Sequence, residues 1–215
     1  MTDYLSPQWE ASALVVVDVQ CDFLPGGAAP IDGTAEVLDT LESVVRTFRE
    51  AGRPIMHVIR LYEPGGSDVD LLRRDAIETG ASVVAPGTTG AEIPEQLLPG
   101  PAALDIELLL SGGIQALSET EAIIFKPRWS AFYRTDLEQW LRKHGATTVV
   151  VAGCNLPNCP RATLFDASER DFRTVLVTDA VSGVTEERLA DLERIGVVAA
   201  EQALISRSLA PRERS

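Results

Sequence analysis

Histidine and cysteine are scarce in this sequence, basic residues are outnumbered, and long apolar runs are missing. Two histidines, His57 and His144, and three cysteines, Cys21, Cys154 and Cys159, occur in 215 residues. An odd number of cysteines with no export signal argues against a disulfide framework. No metal site can be read from two histidines outside any ligand-spaced cluster. His57 falls within a predicted strand, where a packed imidazole is expected, and His144 near a helix end, where it suits the dipole. No cofactor is expected. Nineteen Lys and Arg against 32 Asp and Glu give a net charge of −13. Such a field repels phosphate backbones and anionic bilayers, so neither nucleic acid nor a membrane is expected as a partner. No apolar run approaches the roughly 18 residues of a membrane span. Residues 1–13 hold Asp3, Pro7, Trp9 and Glu10 without a basic segment leading to an apolar core, unlike a secretory signal, and a cytoplasmic chain is expected.

What is present is a rhythm of strands and helices. Ala13, Leu14, Val15, Val16 and Val17 form an unbroken apolar run that ends on Asp18. Runs of this kind predict a strand buried on both faces of a parallel sheet. Val37, Leu38, Leu41, Val44, Val45 and Phe48 recur at helical spacing and predict a helix over 34–51, stopped by Gly52. Residues 54–59 predict a second strand, which makes the first unit a βαβ crossover. Further strands are predicted at 122–126, 147–152, 174–178 and 197–200, and further helices at 135–143, 160–170 and 186–194. The stretch 61–101, punctuated by Pro64-Gly65-Gly66, Pro86-Gly87 and Pro99-Gly100, reads as a long loop excursion with one short helix near 69–79. Loops of that length usually serve a site. The alternation predicts a three-layer α/β/α domain with a parallel six-stranded sheet. At 215 residues, 45% of them apolar, the chain is expected to be one domain, 1–215. The tail 211–215 is expected to fray.

Three reactive side chains fall just past the ends of three predicted strands: Asp18, Lys126 and Cys159. That edge of an open parallel sheet is where ligands bind. Singly, each has a plainer explanation as a turn carboxylate, a solvated lysine or a packed thiol. The context of Cys159 sets it apart. The segment from Gly153 to Thr163 joins a buried strand to a helix, and Pro160 suits the first helical position, where a missing N–H costs nothing. Cys159 then opens the helix, where free N–H groups and the dipole favour thiolate and could hold a developing oxyanion. The expected consequence is a cysteine more reactive near neutral pH than Cys21 or Cys154.

Asp18-Val19-Gln20, followed by Phe23, closes the first apolar strand; Lys126-Pro127-Arg128-Trp129-Ser130-Ala131-Phe132 follows another; and Val149-Val150-Val151-Ala152-Gly153 precedes Cys159, with Thr178-Asp179-Ala180 ending the next strand. In order and spacing these blocks resemble the isochorismatase-like cysteine hydrolases, over roughly residues 11–205. The family pattern is Asp-x-Gln-x-x-Phe, then Lys-x-x-x-Ser-Ala-Phe, then a cysteine six residues after a glycine.

The resemblance implies a sheet in the order 3-2-1-4-5-6, with Asp18 and Cys159 on adjacent strands, and a catalytic triad of Asp18, Lys126 and Cys159. It implies that Asp18 takes the Cys159 proton, that the thiolate attacks a carboxamide or ureido carbonyl, and that the backbone N–H groups of Asn155 and Cys159 form the oxyanion hole. Ammonia or an amine leaves, and water cleaves the thioester. Lys126 would hold the carboxylate charged and favour the thiolate. A cis peptide common in the family would fall at Cys154–Asn155. Leu156, Pro157 and Pro160 depart from the pattern, standing where relatives carry a Thr-Asp or Thr-Asn pair and a Val. Something other than a threonine hydroxyl must therefore hold this loop. Nicotinamidase relatives bind a metal through an Asp-x-His…His arrangement that these two histidines do not supply.

Phe23, Tyr62, Arg128, Trp129, Phe132 and Asn158 are the candidate substrate-contacting residues, and Arg60 and Arg161 the candidates for holding a carboxylate. The expected partner is a small-molecule amide or ureido (carbamoyl) compound, and the expected assembly is a homo-oligomer, a dimer or tetramer. Two other functions compete: an isochorismatase-type vinyl-ether hydrolase, which needs no nucleophilic cysteine, and a non-catalytic binding domain that keeps the fold. A dinucleotide site is excluded, because Gln20-Cys21-Asp22-Phe23 follows the first strand where a Gly-x-Gly-x-x-Gly turn would be required.

Overall fold

The computed structural model describes residues 3–66 and 68–210; the expected fraying of 211–215 lies outside the described residues. The strands are β1 (Ser12–Val17), β2 (Ile55–Ile59), β3 (Ile114–Ala116), β4 (Glu121–Phe125), β5 (Thr148–Gly153), β6 (Arg173–Val181) and β7 (Val198–Ala200). The helices are α1 (Leu38–Glu50), α2 (Leu71–Glu78), α3 (Ile106–Leu110), α4 (Leu137–Lys143), α5 (Cys159–Ser168), α6 (Glu186–Glu193) and α7 (Gln202–Leu209). All seven strands join one sheet in the order β3-β4-β2-β1-β5-β6-β7.

Six of these strands pair in parallel and, counted alone, keep the expected order 3-2-1-4-5-6. The expectation of a six-stranded sheet is corrected by β3, a short antiparallel strand on the outer edge of β4. A tight turn closes that hairpin, the Leu117 and Ser118 N–H groups both donating to the Glu121 carbonyl. It covers backbone groups that β4 would otherwise leave open at an edge. Two half-buried residues and an exposed one carry no alternation, so nothing in the sequence announced this strand.

The unbroken apolar run of β1 is explained by the layers on either side. Leu14 and Val16 pack towards Leu41, Val44, Val45 and Phe48 of α1 and Ile205 of α7. Ala13, Val15 and Val17 pack on the opposite face with Leu141 of α4, Leu164 of α5 and Leu192 of α6. Burying each large aliphatic chain stabilises the fold by about 1.5–3 kcal/mol.

The first helix begins at Leu38, later than its periodicity predicts. Thr34 is buried, and its hydroxyl donates to Cys154 Sγ at 3.4 Å and Ser182 Oγ at 3.1 Å, which commits that residue to the end of β5 before the helix starts. The excursion 61–101 is tightly packed. It contains α2 and 3-10 turns at Thr89–Ala91 and Glu95–Leu97, and buries Val69, Ile77, Val84 and Leu97 on the α1 side. Asp22 anchors it, Oδ2 accepting from the Val84 N–H at 2.6 Å and Oδ1 from the Ala28 N–H at 3.0 Å. No helix among the described residues is long and apolar enough to cross a membrane.

Candidate active site

The ends of β1, β4 and β5 converge on one point. Asp18 leaves β1 with φ +53°, a left-handed bend that short polar residues tolerate better than branched ones. Its N–H donates to the Val58 carbonyl at 2.8 Å, so pairing with β2 fixes the bend. Across from it Gly153 ends β5 with φ +115°, and a Cβ there would stand 2.3 Å from the Val17 carbonyl oxygen. Only glycine lets the two strand ends come this close. The Cys154 N–H then donates to the same Val17 carbonyl at 2.8 Å, bringing the loop before Cys159 against Asp18.

Lys126 follows β4, and its Nζ donates to Asp18 Oδ2 at 2.8 Å and to the Arg128 carbonyl at 3.1 Å. Both members of this ion pair are buried. An ammonium survives there only because a carboxylate and a carbonyl replace its water. The other Asp18 oxygen, Oδ1, is buried without a hydrogen bond of good geometry. Asn158 stands just before α5 without a side-chain capping bond, Cys159 is the first helical residue and Pro160 follows. The Cys159 thiol is pushed up to about 12, first by burial and next by the Asp18 charge; Lys126 and Arg60 oppose this, and hydrogen bonding with Asp18 adds to it. This shift runs against the thiolate that the helix N-terminus favours. A helix N-terminus does not outweigh burial beside a carboxylate.

Arg60 ends β2 as Asp18 ends β1, and it is also buried. Its guanidinium donates to the Tyr62 hydroxyl (Nη2, 2.9 Å) and the Lys126 carbonyl (Nη1, 3.2 Å), and pairs with Asp70. The Tyr62 hydroxyl donates to Asp70 Oδ2 at 3.0 Å. Burial would by itself weaken the Arg60 charge, but Tyr62, Asp18, Cys159 and Asp70 more than offset it, and its pKa is raised. Gln20, the middle residue of the first motif, locks this strand end. Its amide donates to the Arg60 carbonyl at 2.8 Å and the Ala91 carbonyl at 2.7 Å, while its oxygen accepts from the Arg60 N–H at 2.8 Å.

A cleft of about 40 Å³ opens onto Cys159, lined by Asp18, Asn155 and Asn158 and walled by Phe23, Tyr62 and Trp129. Two of the expected substrate contacts are not among its walls. Arg128 turns outward to Asp68, Nη2 standing 2.7 Å from Oδ1. Phe132 is buried in the core, its ring centroid 6.0 Å from that of Phe172. The Ala131 N–H donates to Thr163 Oγ1 at 3.0 Å, which turns this loop towards α5 and takes Phe132 with it. Arg161 is likewise outside the cleft, 3.8 Å from Asp191. Sequence reasoning missed Ile31, Asp70, Leu72, Arg73 and Cys154, all of which line the cleft. The first four come from irregular segments or the excursion, where no periodicity marks an inward face. Cys154 is pushed up to about 11, chiefly by burial.

A family model of the isochorismatase domain matches residues 12–106 and 110–202, which take in all three strand ends. The chain belongs to the isochorismatase family. It is 32% identical over 200 residues to a probable inactive nicotinamidase from Arabidopsis thaliana, covering 90% of this chain and 93% of that protein. The crystal structure of an isochorismatase family protein from Desulfovibrio vulgaris matches with a TM-score of 0.79 and 30% identity, covering 94% of this chain and 99% of that one. N-carbamoylsarcosine amidase from Thermoplasma acidophilum matches with a TM-score of 0.69 and 25% identity, over 89% and 96% of the two chains.

In this isochorismatase-family chain the loop before Cys159 is held through Leu156, where the expected threonine is missing. The Leu156 N–H donates to the Ser182 carbonyl at 2.8 Å, and the Leu156 side chain is fully buried. The Cys154–Asn155 peptide is trans. Its histidines do not fit a metal at the cleft. His57 Nε2 stands 2.7 Å from Glu121 Oε1 within the sheet, and His144 Nδ1 stands 2.8 Å from the Trp140 carbonyl. Among the described residues no group of three or more His, Cys, Asp or Glu could hold an ion.

Proposed function

We propose that the chain is a cysteine-dependent amidohydrolase that opens a C–N bond of a small amide or ureido (carbamoyl) compound through a thioester. The observation that carries this reading is a buried carboxylate that is paired with an ammonium and shares one cleft with a thiol: Lys126 Nζ lies 2.8 Å from Asp18 Oδ2, and Asp18 and Cys159 line the same cleft.

Because the resting sulfur is a thiol, its proton must pass to Asp18 as sulfur attacks the carbonyl carbon. The carbonyl oxygen takes up the negative charge beside the Asn155 and Cys159 N–H groups. Asp18 then returns the proton to the departing nitrogen, and the C–N bond breaks to leave a thioester. Water adds to that carbonyl with Asp18 as base, releasing the acid and restoring the thiol. Lys126 faces the negative charge as it moves between sulfur and carboxylate. Arg60 adds a second positive charge behind Asp18.

Ammonia release from a panel of small amides and ureido acids tests this reading. Parent enzyme should release ammonia and show a thioester adduct on Cys159 alone by intact and peptide mass spectrometry, while Cys159→Ala should lose turnover. Retention of turnover within tenfold by Cys159→Ala would reject the covalent route. The likeness to a probable inactive nicotinamidase favours a second reading, a non-catalytic amide-binding domain. That reading is upheld if panel members bind with neither ammonia nor adduct appearing.

A further inference from the structure

The inner cleft, at about 40 Å³, has room for roughly three waters at about 10–15 Å³ each. That accommodates a carboxamide or ureido head and little more. It opens into an outer groove of about 810 Å³ with which it shares Asp70, Leu72 and Trp129. The start of α2 forms one wall of the groove, and the loop after β4 forms the other. Arg128 staples the walls together, Nη1 donating to the Asp68 carbonyl at 3.0 Å and Nη2 to its carboxylate at 2.7 Å.

Nine large apolar side chains stand exposed among the described residues, and four of them, Leu71, Leu72, Trp129 and Tyr133, line this one groove. Leu71 is 81% exposed and Leu72 73%. A single exposed leucine carries no meaning, but a contiguous apolar surface leading to a nucleophile does. Leu72 and Trp129 line both spaces, so anything seated permanently in the groove would obstruct the way to Cys159. The occupant has to arrive and leave with each turnover.

We propose that the outer groove is a substrate subsite, and that the substrate presents its amide or ureido head to Cys159 on an alkyl or aryl arm lying against Leu71, Leu72, Trp129 and Tyr133. This rests on the amidohydrolase reading and adds the class of the group attached to the carbonyl. Acetamide-sized compounds would fill the inner cleft and leave the groove empty. Longer arms would gain up to about fourfold for each methylene carried into contact.

The test is a series of primary amides: acetamide, butyramide, hexanamide, phenylpropionamide and phenylbutyramide. Ammonia release is measured with the parent enzyme, and binding by calorimetry with Cys159→Ala. Both kcat/KM and affinity should climb at least tenfold from acetamide to phenylbutyramide. The double variant Leu71→Asp, Tyr133→Asp should flatten the series, its longer amides falling to the level of acetamide. A flat series with the parent, or a slope that survives the double variant, overturns the proposal. If no amide is consumed but affinity for Cys159→Ala still climbs along the series, the subsite stands and the amidohydrolase reading fails. If no amide is consumed or bound, both fall. Should light scattering show that the double variant splits an oligomer while leaving the slope intact, the groove is a contact between copies and the proposal is overturned.

Discussion

Lys126 Nζ donates to Asp18 Oδ2 at 2.8 Å in a place where Lys126 is 0% and Asp18 4% exposed. Neither charge has bulk water to fall back on, so each is the other's principal solvent. Paired, they add little net stability; separated, they are a liability.

Lys126→Met should therefore destabilise the fold by about 3–5 kcal/mol, because it strands a buried carboxylate. Adding Asp18→Asn should recover part of that loss while activity stays absent. Urea unfolding of the four proteins in the cycle measures it. A coupling energy below about 0.5 kcal/mol would mean that the pair acts as two independent residues.

Thiol reactivity should run opposite to the order expected from the helix N-terminus. With Cys159 pushed up to about 12 and Cys154 to about 11, both mainly by burial, the half-exposed Cys21 should react first with iodoacetamide at neutral pH. Its own thiol is also raised, by burial and then by Glu92 and Asp22; Cys159 is half-exposed as well, so the comparison turns on the charge facing each sulfur rather than on access. Asp18→Asn should accelerate Cys159, since the Asp18 charge holds the proton on sulfur. Peptide-resolved labelling across neutral and alkaline pH decides this, and fastest labelling of Cys159 in the parent would restore the resting thiolate.

The same shift has a stability consequence. A folded-state value above the ordinary 9.0 means that the fold favours the protonated thiol. This contribution is present in full below pH 9.0 and is lost as pH rises towards about 12. Thermal melts should show Cys159→Ala losing less stability than the parent over that alkaline range. Parallel curves would place the thiol's titration elsewhere.

Gly153→Ala should be among the most damaging small substitutions. Its Cβ would sit 2.3 Å from the Val17 carbonyl oxygen at a φ of +115°. Overpacking of this kind costs about 1–3 kcal/mol, and the backbone strain adds to it. A melting temperature lowered by less than about 2 °C would show that the two strand ends can part freely.

Prolonged dialysis against a chelator should leave amide turnover intact. His57 is held by Glu121 and His144 by the Trp140 carbonyl, so neither is available at the cleft. Loss of activity that zinc or manganese alone restores would contradict this.

Asp18, Lys126 and Cys159 could be located from sequence because each follows an apolar run that only a strand buried on both faces explains. The fold class and the order of the six parallel strands followed from those runs together with the resemblance. Other features depend on distances between segments far apart in the chain. Trp129 and Phe132 are three residues apart after Lys126, yet one walls the cleft and the other enters the core. The Ala131 N–H bond to Thr163, 32 positions away, decides between them. The state of Cys159 was beyond the sequence for a similar reason. Local sequence revealed the helix N-terminus that favours a thiolate; the opposing burial and the Asp18 charge exist only once β1 and β5 lie side by side. The sequence by itself determined which side chains stand at the sheet edge, because burial on two faces imposes an unmistakable pattern. Tertiary structure alone decided what surrounds them and which way the Cys159 thiol is shifted, because Coulomb and desolvation energies depend on separations in space that local pattern does not encode.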